Sequence, residues 1–337
     1  MTVRGDFPRK ILIVALDNLG DAVMASSILP PLKRLFPKST VGIWVKDYVS
    51  DLFTGHPLID SVHASDPFWD RSPGKGKGAV GPFLRAWSEI RKSRYDTALI
   101  LNAEWRRTLS CRLAGIPERI GYRSRKSGLF LNHAFPLPEA GGHFSDEHRG
   151  LLEKYFDQPL SPEDCLPRLE ALPQDEQWWK GWSTEKGLKS REFTVLHFFS
   201  GDEEKNWPLA CWAEFLKRNP QGRFVVLCGP GEESRLEPYR KEILRAGVEL
   251  ISAPTLGQLK ALLGHARLVI GGDSGPEHVA AARGACVLSL FGPTGPGRSG
   301  PRGRGVLRAL RQFPLRSLPV DTVIAAMAEF PPQASAD

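Results

Sequence analysis

The chain is 337 residues long, room for two domains of the usual ~100–200 residues each. Hydrophobic residues at 41% and charged residues at 25% suit a soluble globular protein, and no run nears the ~18 apolar residues of a membrane-spanning helix. The formal net charge of +7 favours an anionic partner, whether phosphorylated glycan, anionic lipid surface or nucleic acid; a merely soluble basic protein has the same balance.

The opening residues Met1 to Lys10 carry charge with no long apolar stretch behind them, so no secretory signal is expected. Cys111, Cys165, Cys211, Cys228 and Cys286 are scattered without C-x-x-C spacing, which predicts buried reduced thiols in a cytoplasmic protein and no zinc site.

From Lys10 the chain alternates β-rich and amphipathic runs. Ile11–Ala15 (ILIVA) is a continuous apolar strand of the kind covered on both faces. After the turn Asp17-Asn18-Leu19-Gly20, Val23, Met24, Ile28, Leu32 and Leu35 recur at helical spacing, with a kink expected at Pro30-Pro31. Further strands are expected at 41–45, 59–62 and 97–101. The glycine- and lysine-rich stretch 71–81 predicts a mobile cationic loop, and the proline-rich acidic stretch 157–174 an interdomain linker. The second half repeats the style, with strands at 193–199, 223–228, 248–251, 268–271 and 287–291 and helices at 209–218, 234–246 and 256–263. An amphipathic segment after Arg316 closes the chain. The pattern predicts two α/β lobes with parallel sheets, residues 1–170 and 171–318, followed by a C-terminal helix and tail at 319–337. Two open sheets of this type carry ligands at the carboxyl ends of their strands, so a cleft between the lobes is the expected active site.

Five places carry chemistry. Asp21, in Leu19-Gly20-Asp21, stands at a helix start, where free N–H groups favour the ionised carboxylate; chain position by itself favours a simple cap, and a general base is the reading with chemistry. The turn lacks G-x-G-x-x-G, so a dinucleotide site is not expected there. Gly271–His278 (GGDSGPEH) lies between an apolar strand and an Ala-rich helix, where glycines and unpaired N–H donors suit a phosphate. Ser274 and Glu277 also have the spacing of a capping box, and both readings can hold together. Lys205, before Asn206-Trp207-Pro208, suits a pyrophosphate leaving group, although Asp202, Glu203 and Glu204 adjoin it. Glu232 and Glu233 follow a strand, where a carboxylate can take ribose hydroxyls or merely begin an acidic helix. Arg106, Arg107, Arg119, Arg123, Arg125 and Lys126 cluster as an acceptor-binding wall or a solvated basic face.

Four segments, Ile11–Pro37, Ala114–Arg123, Lys205–Pro208 and Gly272–Pro296, together resemble the ADP-heptose:lipopolysaccharide heptosyltransferases, glycosyltransferase family 9. The resemblance implies a GT-B fold with acceptor on the first lobe, nucleotide sugar on the second, and a metal-independent inverting transfer that uses no cofactor. Asp21 would be the general base and Gly20 would lie on the acceptor side with Arg106, Arg107, Arg123 and Arg125. Lys205, Ser274 and Gly275 would hold the donor phosphates, Asp273, His278 and Ser200 would shape that site, and one of Glu232 and Glu233 would take the ribose. The implied partners are ADP-heptose, an anionic lipopolysaccharide core and, peripherally, the cytoplasmic face of the inner membrane. The chain departs from the family at Phe198–Glu204, where a Pro-Gly-small turn is common, so another nucleotide sugar is the alternative donor. A non-catalytic binding protein of the same fold is the alternative from a different class. No helix-turn-helix, RNA-recognition or zinc pattern supports a nucleic-acid partner.

Overall fold

The computed structural model describes residues 9–70, 76–102, 104–138 and 142–330, so the first part of the expected cationic loop, 71–75, lies outside the described residues. The chain divides into two compact units, Met1–Arg168 and Leu169–Asp337.

The first unit is built on a parallel sheet of six strands: β1 (Lys10–Ala15), β2 (Thr40–Val45), β3 (Ser61–Ala64), β4 (Thr97–Ile100), β5 (Glu118–Arg123) and β6 (His133–Pro136). Their order is β3-β2-β1-β4-β5-β6. β1 sits centrally, with Ile13 beside Ile43 on one flank and Leu99 on the other. Both of its faces are apolar because both are covered. Leu12, Val14 and Ile100 on one face meet Phe83 and Ile90 of the helix Val80–Ser93 and Cys111 of the helix Trp105–Leu113.

The second unit repeats the plan. Its strands are β7 (Thr194–His197), β8 (Phe224–Cys228), β9 (Val248–Ser252), β10 (Leu268–Gly272), β11 (Cys286–Phe291) and β12 (Leu307–Arg311), in the order β12-β11-β10-β7-β8-β9. Read from its own first strand, this is the same winding as in the first unit. One face buries Leu196, Val226, Ile270 and Leu288 against Trp212 and Phe215 of the helix Leu209–Arg218. Val323 and Ala326 of the terminal helix Val320–Ala328 join the same core, so the C-terminal segment is an integral part of this unit.

Two expected helices differ in detail. The one after β1 breaks at a 3-10 turn, Ser26–Ile28, and resumes as Leu29–Leu35 with the prolines in its first positions. Pro30 has no N–H and its ring crowds the carbonyl of Ser26, so the α-ladder ends before the prolines rather than at them. The helix expected over 234–246 is instead a 3-10 segment, Glu233–Tyr239, and one turn of α-helix, Arg240–Ile243. Pro238 inside that span removes a ladder donor. Strands β5, β6 and β12 were not expected, because charged residues in β5 and β12 and Pro136 in β6 dilute their apolar pattern; β6 and β12 are edge strands.

Candidate functional site

Each sheet reverses its winding once, between β1 and β4 in the first unit and between β7 and β10 in the second. At such a reversal the loops leaving two adjacent strands diverge to opposite faces and open a crevice at the carboxyl ends. Asp21, Lys205, Asp273 and Ser274 all lie on segments leaving these four strand ends or starting the next helix.

In the first unit, β1 runs out into Leu16-Asp17-Asn18 and the helix Leu19–Ala25. Asn18 is the N-cap by position, but its side chain makes no cap bond. Its Oδ1 instead lies 3.3 Å from Lys46 Nζ, and the Leu19 N–H donates to the Tyr48 phenol at 3.1 Å. Asp21, in the first turn, is mostly buried, and that burial, with the Asp17 charge beside it, raises its carboxyl pKa to about 6. The backbone N–H of Asn18 and the cations Arg107 and Lys46 pull the other way. Asp21 thus reaches back to the N-cap backbone, as a capping group does, while keeping a proton affinity suited to acid–base work near neutral pH.

The arginines separate into two kinds. Arg107 is buried, and its guanidinium holds both oxygens of Asp17 at 2.9 Å and the Leu16 carbonyl at 2.7 Å. Asn102, beyond β4, donates to the same Asp17 at 2.9 Å. Arg107 is therefore a strut between the segments that follow β1 and β4, its guanidinium engaged by Asp17 and Leu16. Arg119 is likewise spent on the carbonyls of Ile116, Pro117 and Phe130. Arg106 and Arg123 are exposed, and the side chain of Arg125 lies outside the described residues. Arg106 stacks 4.7 Å over Trp105 and pairs with Glu104 at 2.9 Å. Gly20 lies half-buried in the first turn beside Asp21.

In the second unit, Lys205 Nζ donates to Asp273 Oδ2 at 2.7 Å, and Thr294 Oγ1 reaches the same oxygen at 2.8 Å. Asp273 thereby ties together the loops that follow β7, β10 and β11. The backbone permits this approach because position 272 is glycine: a Cβ there would lie 2.8 Å from the Lys205 carbonyl. Ser274 is the N-cap of the helix Gly275–Ala282 with extended backbone, yet its hydroxyl does not cap it. The capping box expected from Ser274 and Glu277 does not form. Ser274 Oγ instead donates to Glu277 Oε2 at 2.5 Å and lies 3.0 Å from His197 Nδ1. The first-turn N–H groups of Gly275 and Glu277 thus lack a side-chain cap, while Pro276 offers none. His278 is buried one position further on.

Glu232 and Glu233 take different directions. Glu232 folds back on its own loop, with Oε2 accepting the Gly229 N–H at 2.6 Å and lying 3.8 Å from His197 Nε2. Glu233 pairs with Arg240 at 3.1 Å. Ser200 closes its own loop: its N–H donates to Asn206 Oδ1 at 2.7 Å and its hydroxyl lies 2.7 Å from the Asp202 carbonyl. Sequence reasoning missed Asp17, Lys46, His197 and Thr294. Lys46 follows an apolar strand run, where a lone polar residue at the carboxyl end is the available signal, whereas His197 lies inside the apolar run 193–199 and carries no such signal. Among the described residues no group of three or more His, Cys, Asp or Glu side chains is gathered as a cation site, and no helix is long and apolar enough to cross a membrane.

The family model for glycosyltransferase family 9 (heptosyltransferase) matches residues 83–312. Lipopolysaccharide heptosyltransferase 2 of Escherichia coli (strain K12) is 25% identical over 298 residues, covering 85% of this chain and 84% of that protein. Among solved structures, the family 9 glycosyl transferase from Veillonella parvula DSM 2008 superposes with a TM-score of 0.83 at 18% identity, covering 96% of this chain and 97% of that one. The E. coli heptosyltransferase WaaC with ADP gives 0.74 at 18% identity, covering 96% and 100%.

Proposed function

The chain belongs to glycosyltransferase family 9, the heptosyltransferases, and from that premise we propose that it moves a heptose from ADP-heptose to a lipopolysaccharide core acceptor by a metal-independent inverting displacement. The second unit is the donor side on this reading, and one observation carries it. Lys205 is bonded to Asp273, next to a helix start that no side chain caps. A cation and free N–H donors side by side suit a diphosphate whose charge grows as the glycosidic bond breaks. Glu232 takes the ribose, because the Gly229 N–H holds it at the carboxyl end of β8 while Glu233 turns to Arg240. A relative solved with ADP supports the choice of nucleotide.

On the acceptor side, Asp21 removes the proton of the attacking hydroxyl. The acceptor oxygen then bonds the anomeric carbon, the bond to the diphosphate breaks, and ADP leaves with that electron pair. Arg107 acts indirectly by holding Asp17 beside Asp21. Arg106 and Arg123 meet the anionic core. Phe68, Leu84 and Leu129 of the same unit are 40%, 50% and 70% exposed, and exposed apolar side chains on the unit that carries these arginines suit peripheral contact with an anionic cytoplasmic membrane face. A second reading, with a different nucleotide sugar, draws support from Ser200, which is engaged by its own loop at the turn where this chain departs from the Pro-Gly-small pattern.

The deciding assay follows ADP release and glycan product with purified protein, ADP-heptose and a heptose-free core acceptor, with and without chelator. Transfer unaffected by the chelator is expected. Release restored only by added magnesium or manganese removes the metal-independent mechanism. Turnover with another nucleotide sugar alone establishes the second reading, and binding without turnover of any donor a non-catalytic protein.

A further inference from the structure

His197 is the last residue of β7 and is buried at 4% exposure, yet it contacts three polar side chains from two other loops. Nδ1 lies 3.0 Å from Ser274 Oγ and 3.3 Å from Glu277 Oε1, and Nε2 lies 3.8 Å from Glu232 Oε2. The bonding order follows from what each atom can donate. The Ser274 hydroxyl gives its hydrogen to Glu277 Oε2 at 2.5 Å, so its oxygen accepts from Nδ1–H. Glu277 is fully buried, and the site is carved for it: a Cβ on Gly271 would lie 1.8 Å from Glu277 Oε1. Burial alone lowers the His197 pKa, but Glu277 and Glu232 outweigh it and lift the value to about 9. A buried carboxylate with only a hydroxyl partner is costly, so the cation is what permits Glu277 there.

On the reading of the second unit as the donor side, we propose that His197 is a positioning residue that couples the phosphate and ribose subsites, fixing Ser274 through one ring nitrogen and Glu232 through the other. Ser274 stands at the phosphate end. Both contacts of Glu232 described above use Oε2, which leaves Oε1 for a ribose hydroxyl. The imidazole thus spans the loops after β8 and β10 from beneath and sets their separation to that between the two ends of a nucleoside diphosphate. Neither loop bonds the other directly through these side chains, so the span runs through His197.

The test is a cycle of ADP affinities by titration calorimetry for wild type, Ser274→Ala, Glu232→Gln and the double variant. Residues joined in one network are non-additive, and a coupling of about fivefold in Kd is expected. Losses that multiply to within about twofold overturn the coupling. His197→Gln alone leaves Glu277 buried and unpaired, so the ring is removed together with that charge in H197Q/E277Q. This pair should keep a melting temperature near that of wild type, raise donor KM about tenfold, leave acceptor KM unchanged and abolish the coupling between Ser274 and Glu232. A merely structural histidine would move the melting temperature and leave donor KM and the coupling intact. Failure of wild type to bind ADP at all would instead strike the assignment of the donor side.

Discussion

Replacing Asp21 with Asn should make the protein both slower and more stable, and the two changes share one cause. Burial and Asp17 raise the Asp21 carboxyl from 3.8 to about 6, so at neutral pH the native state holds a charge it would rather neutralise. That rise corresponds to at most about 3 kcal/mol of stability withheld at pH 7. The sign follows from proton binding. With the folded pKa above the unfolded one, the native state is penalised fully above pH ~6 and not at all below pH ~3.8. Asn keeps the shape and an acceptor oxygen for the Asn18 N–H but carries no charge. Thermal unfolding of Asp21→Asn at pH 7.5 should therefore lie several degrees above wild type, at the usual few degrees per kcal/mol for a unit of this size. The gain should shrink through pH 6 and vanish near pH 4. Turnover should fall by about 10²–10⁴, and the acidic limb of wild-type kcat/KM, one decade per pH unit below about 6, should disappear. Turnover within a few-fold of wild type, or a melting temperature that falls, refutes the assignment: the first removes the base, and the second makes Asp21 an ordinary cap.

Lys205→Ala should weaken ADP-sugar binding and also lower kcat at saturating donor, because the leaving group gains charge in the transition state; an unchanged kcat limits Lys205 to ground-state binding. Arg107→Ala leaves Asp17 without its buried partner and should cost about 3–5 kcal/mol in chemical denaturation. A loss below about 1 kcal/mol would show that Arg107 is not a strut. Acceptor KM should rise with salt more steeply than donor KM, since surface charges are screened over about 8 Å at physiological ionic strength. Neutralising Arg123 and Arg125 together should flatten that slope, and equal slopes in wild type and variant mark a solvated basic face.

Much of the fold was legible in the sequence because continuous apolar runs such as Ile11–Ala15 have only one stable home, a strand covered on both faces. The place of Asp21, Lys205 and the Gly271–His278 turn in the fold was legible too, since polar residues in the segment that follows such a run fall on the carboxyl side of its strand whatever the rest of the chain does. What no linear pattern carries is which of those polar residues meet. Arg106 and Arg107 are neighbours in the chain, yet the helical turn sends one to solvent and buries the other on Asp17, 90 positions away. Glu232 and Glu233 part in the same way, one held by Gly229 and His197, the other by Arg240. His197 read as one more residue of a buried strand, because its partners come from loops 35 and 77 positions further on. Local sequence sets backbone periodicity through sterics and burial. Proton affinities and the division of charged residues between struts and binding groups depend on distances that exist only once the sheets have brought remote loops together.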